Sequence, residues 1–229
     1  MKTFVTLLLF SMTLWTAQAW GSETLDQRID SLVKNVDARY AQTKDLQADF
    51  IQETKIEGFE TPLSSSGQVY IKKSGLLRWD YEKPSVEQIY VHGDELEMYV
   101  PEHNQVVKGH LSQLVATKAP LRLLQGAGNL AEQFEVTPTR GGELGEGGLP
   151  LLTLRPRQTQ REQASAISQI VLDIQPTTYL IHSVSLYETS GNVSTFRFAE
   201  LKVNSGLDDR LFELTVPDDV VVVDAPAFH

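Results

Sequence analysis

The chain has no cysteine in 229 residues. Disulfides, thiolate metal sites and thiol nucleophiles are all ruled out, so an exported chain of this composition is held by its core alone. No lipid can be attached to it through a thioether either. Long hydrophobic runs are missing as well: no window of 18 apolar residues exists, although 41% hydrophobic content is enough for a packed core. Basic charge is scarce, with 20 Lys and Arg against 30 Asp and Glu, a net charge of −10. Nucleic acid and anionic lipid surfaces are bound mainly through Lys and Arg, so neither is expected as a partner.

Catalytic spacings are also lacking. The five histidines, His92, His103, His110, His182 and His229, form no pair at metal-ligand spacing on one element. His110 is read as part of a connection. No Gly-x-Ser-x-Gly elbow occurs. Asp80 and Glu82 share one strand face, as charges on any wet face do. The glycine-rich loop 141–148 is not followed by Lys-Ser/Thr and carries Glu143 and Glu146, which would repel a phosphate. No enzyme, cofactor or metal is expected.

The chain opens with an export signal: Lys2, an apolar stretch from Phe4 to Trp15, and the small-x-small site Ala17-Gln18-Ala19. Residues 1–19 are expected to be removed, leaving one domain over 20–229. Their loss takes away one lysine and no acid, so the mature chain is more acidic still.

The stretch Ser65–Pro84 organises the rest of the chain. Leu77, Trp79 and Tyr81 fall on one face of a strand, and Arg78, Asp80 and Glu82 on the other. Lys73, Ser74 and Gly75 make the turn that leads into it. Ahead of it, Leu25, Ile29, Leu32, Val33, Val36 and Tyr40 predict an amphipathic helix over 22–43, opened by a Thr24/Gln27 capping box. Strands are predicted over 46–56, 86–91, 96–100, 134–136, 151–154, 167–174, 179–189 and 193–203. Near the end, Phe212, Leu214 and Val216 alternate, and Val220 to Val223 form an apolar run. Leu111 to Leu124 has helical spacing, split at Pro120. About ten antiparallel strands must curl or close. The expected fold is mainly β with an α lid: a curved, unclosed half-barrel sheet covered by helices.

Several residues occur in a telling order. Leu46, Ala48, Asp49, Phe50 and Gln52 come first, then Ser66, Gly67, Tyr70, Lys72 and Lys73. Leu77, Trp79 and Pro84 are next, then Gly93, Tyr99 and Pro101, and last Phe212, Leu214, Val216 and Pro217. In this order the chain resembles the periplasmic outer-membrane lipoprotein carrier family (LolA-type) over nearly its whole mature length. The resemblance implies an unclosed barrel with an apolar cavity under a helical lid. It implies a periplasmic chaperone that binds acyl chains and shuttles lipoproteins from the inner to the outer membrane. Acylated lipoproteins would be its cargo, an ATP-driven inner-membrane exporter its donor and an outer-membrane receptor its acceptor, with the carrier a monomer.

The family's basic latch, which bonds to lid backbone, corresponds to Lys72-Lys73. The family often has Arg then Pro there, where this chain has Lys73 then Ser74. A lysine donates as a point charge and not as a planar fork. Lys73 is therefore one candidate latch and Arg78 the other. The candidate cavity wall is Phe50, Leu77, Trp79, Tyr81, Met98, Phe196 and Phe198. The candidate lid is Leu25, Ile29, Leu32, Leu114, Leu121 and Leu124. Three other readings remain. One is a periplasmic sensor domain of similar half-barrel fold that binds a regulatory protein; such sensors usually carry a second C-terminal domain, which does not follow the valine run here. Another is an exported hydrolase whose triad is spatial and not sequential. The third is a membrane-anchored receptor, which the missing cysteine disfavours.

Overall fold

The computed structural model describes residues 24–111, 123–124, 130–157 and 167–225. Its first element, α1 (Leu25–Gln42), starts as the sequence indicates. Thr24 Oγ1 accepts from the Gln27 amide, and the Gln27 side chain accepts from the Thr24 amide, so both halves of the capping box are made. Ile29, Leu32, Val33, Val36 and Tyr40 are its buried stripe.

Twelve strands come after it. They are β1 (Asp45–Lys55), β2 (Leu63–Lys72), β3 (Leu76–Lys83), β4 (Glu87–His92), β5 (Glu95–Val100), β6 (Gln105–His110), β7 (Phe134–Pro138), β8 (Leu152–Pro156), β9 (Ile167–Ile174), β10 (Ile181–Glu188), β11 (Val193–Val203) and β12 (Val221–Asp224). A short helix, α2 (Leu130–Gln133), precedes β7. The sheet order is β12-β6-β5-β4-β3-β2-β1-β11-β10-β9-β8-β7. Every pairing is antiparallel except β12 with β6. β7 and β12 are free edges that do not meet, so the curved sheet is unclosed.

Register decides what faces the helix. Phe50 pairs with Gly67 and Phe198, Trp79 with Val69 and Ile89, and Val184 with Phe196 and Leu172. A period of two then puts all of these on one inner face. They join the α1 stripe, Leu111, Leu123, Leu124 and Leu130 in one core. Gly75, at φ 92°, closes the β2–β3 turn in the left-handed region, where a side chain would be strained.

Two sequence readings change. His110 is not in a connection but ends β6, a strand whose short and mixed pattern hides it. Phe212, Leu214 and Val216 do not make a strand. Asp209–Phe212 is a 3-10 turn, and the residues from Glu213 to Val220 belong to no strand.

The segment 204–220 instead forms a strap across the outer face. Lys72 Nζ donates to the Leu207 carbonyl at 2.9 Å and is ion-paired with Asp209. Arg78 Nη1 donates to the Leu211 carbonyl at 3.2 Å, and His92 Nε2 lies 2.8 Å from the Phe212 carbonyl. Phe212 is wholly buried, outside the main core. The strap's end meets Asn104, which donates to the Asp219 carbonyl, and β12 then adds to the sheet edge. If Phe212 anchors the strap, Phe212→Ala lowers the urea unfolding free energy by about 3–5 kcal/mol. A loss under about 1 kcal/mol marks the strap as loosely laid.

Candidate functional site

The inner wall centres on five packed aromatic rings, those of Phe50, Trp79, Tyr81, Phe196 and Phe198. The Phe50 and Trp79 centroids are 4.6 Å apart, Phe50 and Tyr81 5.2 Å, Trp79 and Phe196 5.7 Å, and Trp79 and Phe198 6.5 Å. These separations suit edge-to-face and offset packing. Phe50, Leu77, Trp79, Phe196 and Phe198 are buried, while Tyr81 and Met98 are partly buried against the same core. The structure therefore brings all seven expected wall residues onto one face.

Of the expected lid residues, Ile29, Leu32 and Leu124 are buried in that core. Leu25, in the first turn of α1, is 42% exposed and lies at the margin. Leu114 and Leu121 fall outside the described residues, as does the expected leader.

The C-terminal end of α1 is heavily bonded. A helix leaves its last four carbonyls without intrahelical partners, and here each finds one. Thr43 Oγ1 donates to the Arg39 carbonyl at 3.0 Å, and the Thr43 amide to that of Tyr40. Lys73 Nζ donates to the Ala41 carbonyl at 2.7 Å, and Asn204 Nδ2 to the Gln42 carbonyl at 3.3 Å. A lysine at this end also opposes the negative pole of the helix dipole.

Asn204 bonds both sides of the junction, since its Oδ1 accepts from the Lys44 amide at 2.7 Å. Beneath it the Asp45 carboxylate accepts from the Ser205 amide, the Ser205 hydroxyl and the Gly206 amide. Burial pushes the Asp45 carboxyl up, but the bonds from Ser205, Gly206 and Leu207 outweigh it and hold the group below its ordinary value. A pocket of about 10 Å³ lies among Tyr40, Leu46, Ile71, Lys73 and Leu124, too small for an acyl chain.

Arg78, the other expected latch, sits on the outer face. Its guanidinium is committed to Asp80, to the Leu211 carbonyl, and to the Tyr70 and Tyr90 rings. It therefore grips the strap, and Lys73 alone of the two touches α1. Sequence reasoning missed Asn204 and Asp45. The turn signal Asn204-Ser205-Gly206 was their one visible trace, and nothing in it says which helix end it serves.

Further along, Tyr40 Oη accepts from the Ile181 amide at 3.2 Å, and burial pushes this phenol up. Asp37 Oδ1 accepts from the Leu130 amide at 3.1 Å, joining α1 to α2. A groove of about 530 Å³ opens on the outer face, but Glu95, Glu97, Lys108, His110 and Asp224 line it, which does not suit an apolar ligand. Among the described residues no group of His, Asp and Glu could hold a metal ion, and no helix is long and apolar enough to cross a membrane.

Residues 41–215 match the family described as Outer membrane lipoprotein carrier protein LolA. The chain belongs to this family. Two LolA relatives are the outer-membrane lipoprotein carrier proteins of Methylobacillus flagellatus, 25% identical over 95% of this chain and 96% of its own, and of Azotobacter vinelandii, 27% identical over 97% and 99%. The structure also resembles an uncharacterised conserved protein of Thermus thermophilus, with a TM-score of 0.54 at 15% identity, covering 86% of this chain and 98% of that one. That likeness concerns the fold. The LolA family is one of carriers and not of enzymes.

Asp45 supplies a pH test of the helix junction. Its carboxyl is lower in the folded than in the unfolded chain, so its stabilisation is complete above the unfolded value and fades as pH falls through the folded one. The stability gap between the unmodified protein and Asp45→Asn should be widest near neutral pH and narrow on acidification. A gap independent of pH contradicts the role assigned to the ionised carboxylate.

Proposed function

We propose that this chain is a periplasmic carrier of lipoproteins. Its leader is removed after Ala19, and the mature chain from Trp20 takes triacylated lipoproteins from an ATP-driven exporter in the inner membrane. As a monomer it carries them across the aqueous periplasm to a receptor in the outer membrane. Family membership supports the general role. One observation carries the reading further: an amphipathic helix lies over an aromatic-lined sheet face while its C-terminal end is tied by Lys73 and Asn204.

The physics suits the task. Burying one methylene is worth about 0.8 kcal/mol, so a sixteen-carbon chain needs a dry surface worth on the order of 10 kcal/mol to stay out of membranes. A surface of that size, left open, would aggregate when empty. Cargo enters between α1 and the wall of Phe50, Leu77, Trp79, Tyr81, Met98, Phe196 and Phe198. Lys73 is the latch at the tied end of the lid, and Arg78 secures the strap behind the sheet. Ile29, Leu32 and Leu124 form the lid, with Leu25 at its margin and Leu114 and Leu121 assigned to it from their spacing.

The purified mature protein should bind an apolar fluorescent probe, and triacylated peptide should displace it. Retention of the probe under saturating peptide counts against carriage. Lys73→Met removes one charge-assisted bond from the helix end, worth about 1 kcal/mol at this exposed position. Amide exchange in the last turn of α1 should then quicken several-fold; unchanged exchange removes Lys73 from the latch.

A further inference from the structure

The inner wall is not uniformly dry. Along β1 the inward residues run Leu46, Ala48 and Phe50, then change to Gln52 and Thr54 toward the 56–62 loop. Tyr81 Oη donates to Gln52 Oε1 at 2.9 Å, and Gln52 Nε2 donates to Thr54 Oγ1 at 3.2 Å. Thr54 Oγ1 lies 3.1 Å from Ser194 Oγ on β11. A belt of polar side chains thus borders the aromatic cluster on the side away from the tied end of α1. Its members Gln52, Thr54 and Tyr81 are partly exposed.

Just inside the belt sits Trp79, with no exposure. Its Nε1–H has no hydrogen-bond partner among the described residues. It lies near enough to the Tyr81 hydroxyl to influence that group's titration, yet makes no bond of proper geometry to it. A buried donor without an acceptor is costly and calls for a partner.

The chemistry of that partner can be read from the groups around it. The indole can only donate, and Gln52 Nε2 keeps a second N–H beyond the one given to Thr54, while Tyr81 spends its single O–H on Gln52 Oε1 and so holds that amide in place. Burial, with the Glu87 carboxylate adding to it, pushes the Tyr81 phenol up to about 12, so it stays protonated. Glu87 faces Tyr81 directly across the β3–β4 register and would repel an anion. The site therefore suits a neutral acceptor at the end of an apolar chain.

We propose that Trp79 and Gln52, the latter oriented by Tyr81, bind the carbonyl of an acyl linkage, so that the wall distinguishes esterified acyl chains from plain alkyl chains of equal length. The inference rests on the carrier reading and deepens it: the hydrocarbon lies along the aromatic wall, and the linkage to the glyceryl group meets the belt. Carbonyl binding gives the cargo a fixed depth in the cleft, which apolar contact alone does not.

The test uses a matched pair of ligands, a dipalmitoylglyceryl-cysteine peptide and its dihexadecyl ether analogue, each displacing an apolar fluorescent probe from the mature protein. The ester should bind about tenfold more tightly than the ether, the worth of one well-made hydrogen bond. In Tyr81→Phe, which keeps the ring and its packing, and in Gln52→Leu, the ratio should fall to within about twofold of unity. Equal displacement by ester and ether from the unmodified protein overturns the inference and leaves the carrier reading intact. A tenfold ratio that survives in both variants, with their folding verified by circular dichroism, overturns it too. Failure of both ligands to displace the probe refutes the carrier reading, and the inference with it.

Discussion

A broad apolar sheet face has to be covered in water, and this chain covers it with a helix tied at one end. The tie is chemical and not only hydrophobic. All four terminal carbonyls of α1 accept a hydrogen bond, two of them from Thr43 just beyond the helix and two from Lys73 and Asn204 elsewhere in the fold. Hydrophobic contact is non-directional and tolerates sliding, whereas these bonds hold one end in one place. The rest of α1 rests on its stripe of Ile29, Leu32, Val33 and Val36, with the Asp37–Leu130 bond linking it to α2. In the proposed function this cover lifts at its other end without coming off.

The strap serves the same end from behind. Successive lysines on the β2–β3 turn face opposite ways, Lys72 to the strap and Lys73 to the helix. Asp45 and Asn204 join the strap's first residues to the helix junction. The outer side of the sheet is thereby stiffened behind the face that, in the proposed function, receives the ligand. Proteins commonly hold mobile parts on rigid elements in this way.

Most of this was legible in the order of residues. Alternation in Leu77, Trp79 and Tyr81 named the inner face, and the helical spacing of Ile29, Leu32, Val33 and Val36 named the cover, because periods of 2 and 3.6 register burial directly. The Thr24/Gln27 box marked the helix start for the same local reason. Long-range pairings left no such trace. β12 runs parallel to β6, which demands a long connection, and nothing in Val221–Asp224 says which strand it joins. Phe212 alternates with Leu214 and Val216 as a strand would, yet it is buried in a turn whose backbone is bonded by Arg78 of β3 and His92 of β4. Arg78 is close to Lys73 in sequence and on the far side of the sheet in space, since it lies on the outward phase of β3. The polar belt was hidden too: Gln52 and Thr54 read as strand residues near a loop until register set them beside Tyr81.

The central claim is that cargo enters between α1 and the sheet. A chain without cysteine allows a direct measurement, because two introduced cysteines take spin labels at chosen places only. With labels at Asp30 on the exposed side of α1 and at Glu135 on β7, pulsed electron resonance reads their separation with and without saturating triacylated peptide. The expected result is an increase of at least about 4 Å, the thickness of one interposed chain. An unchanged separation with the peptide demonstrably bound would contradict the account.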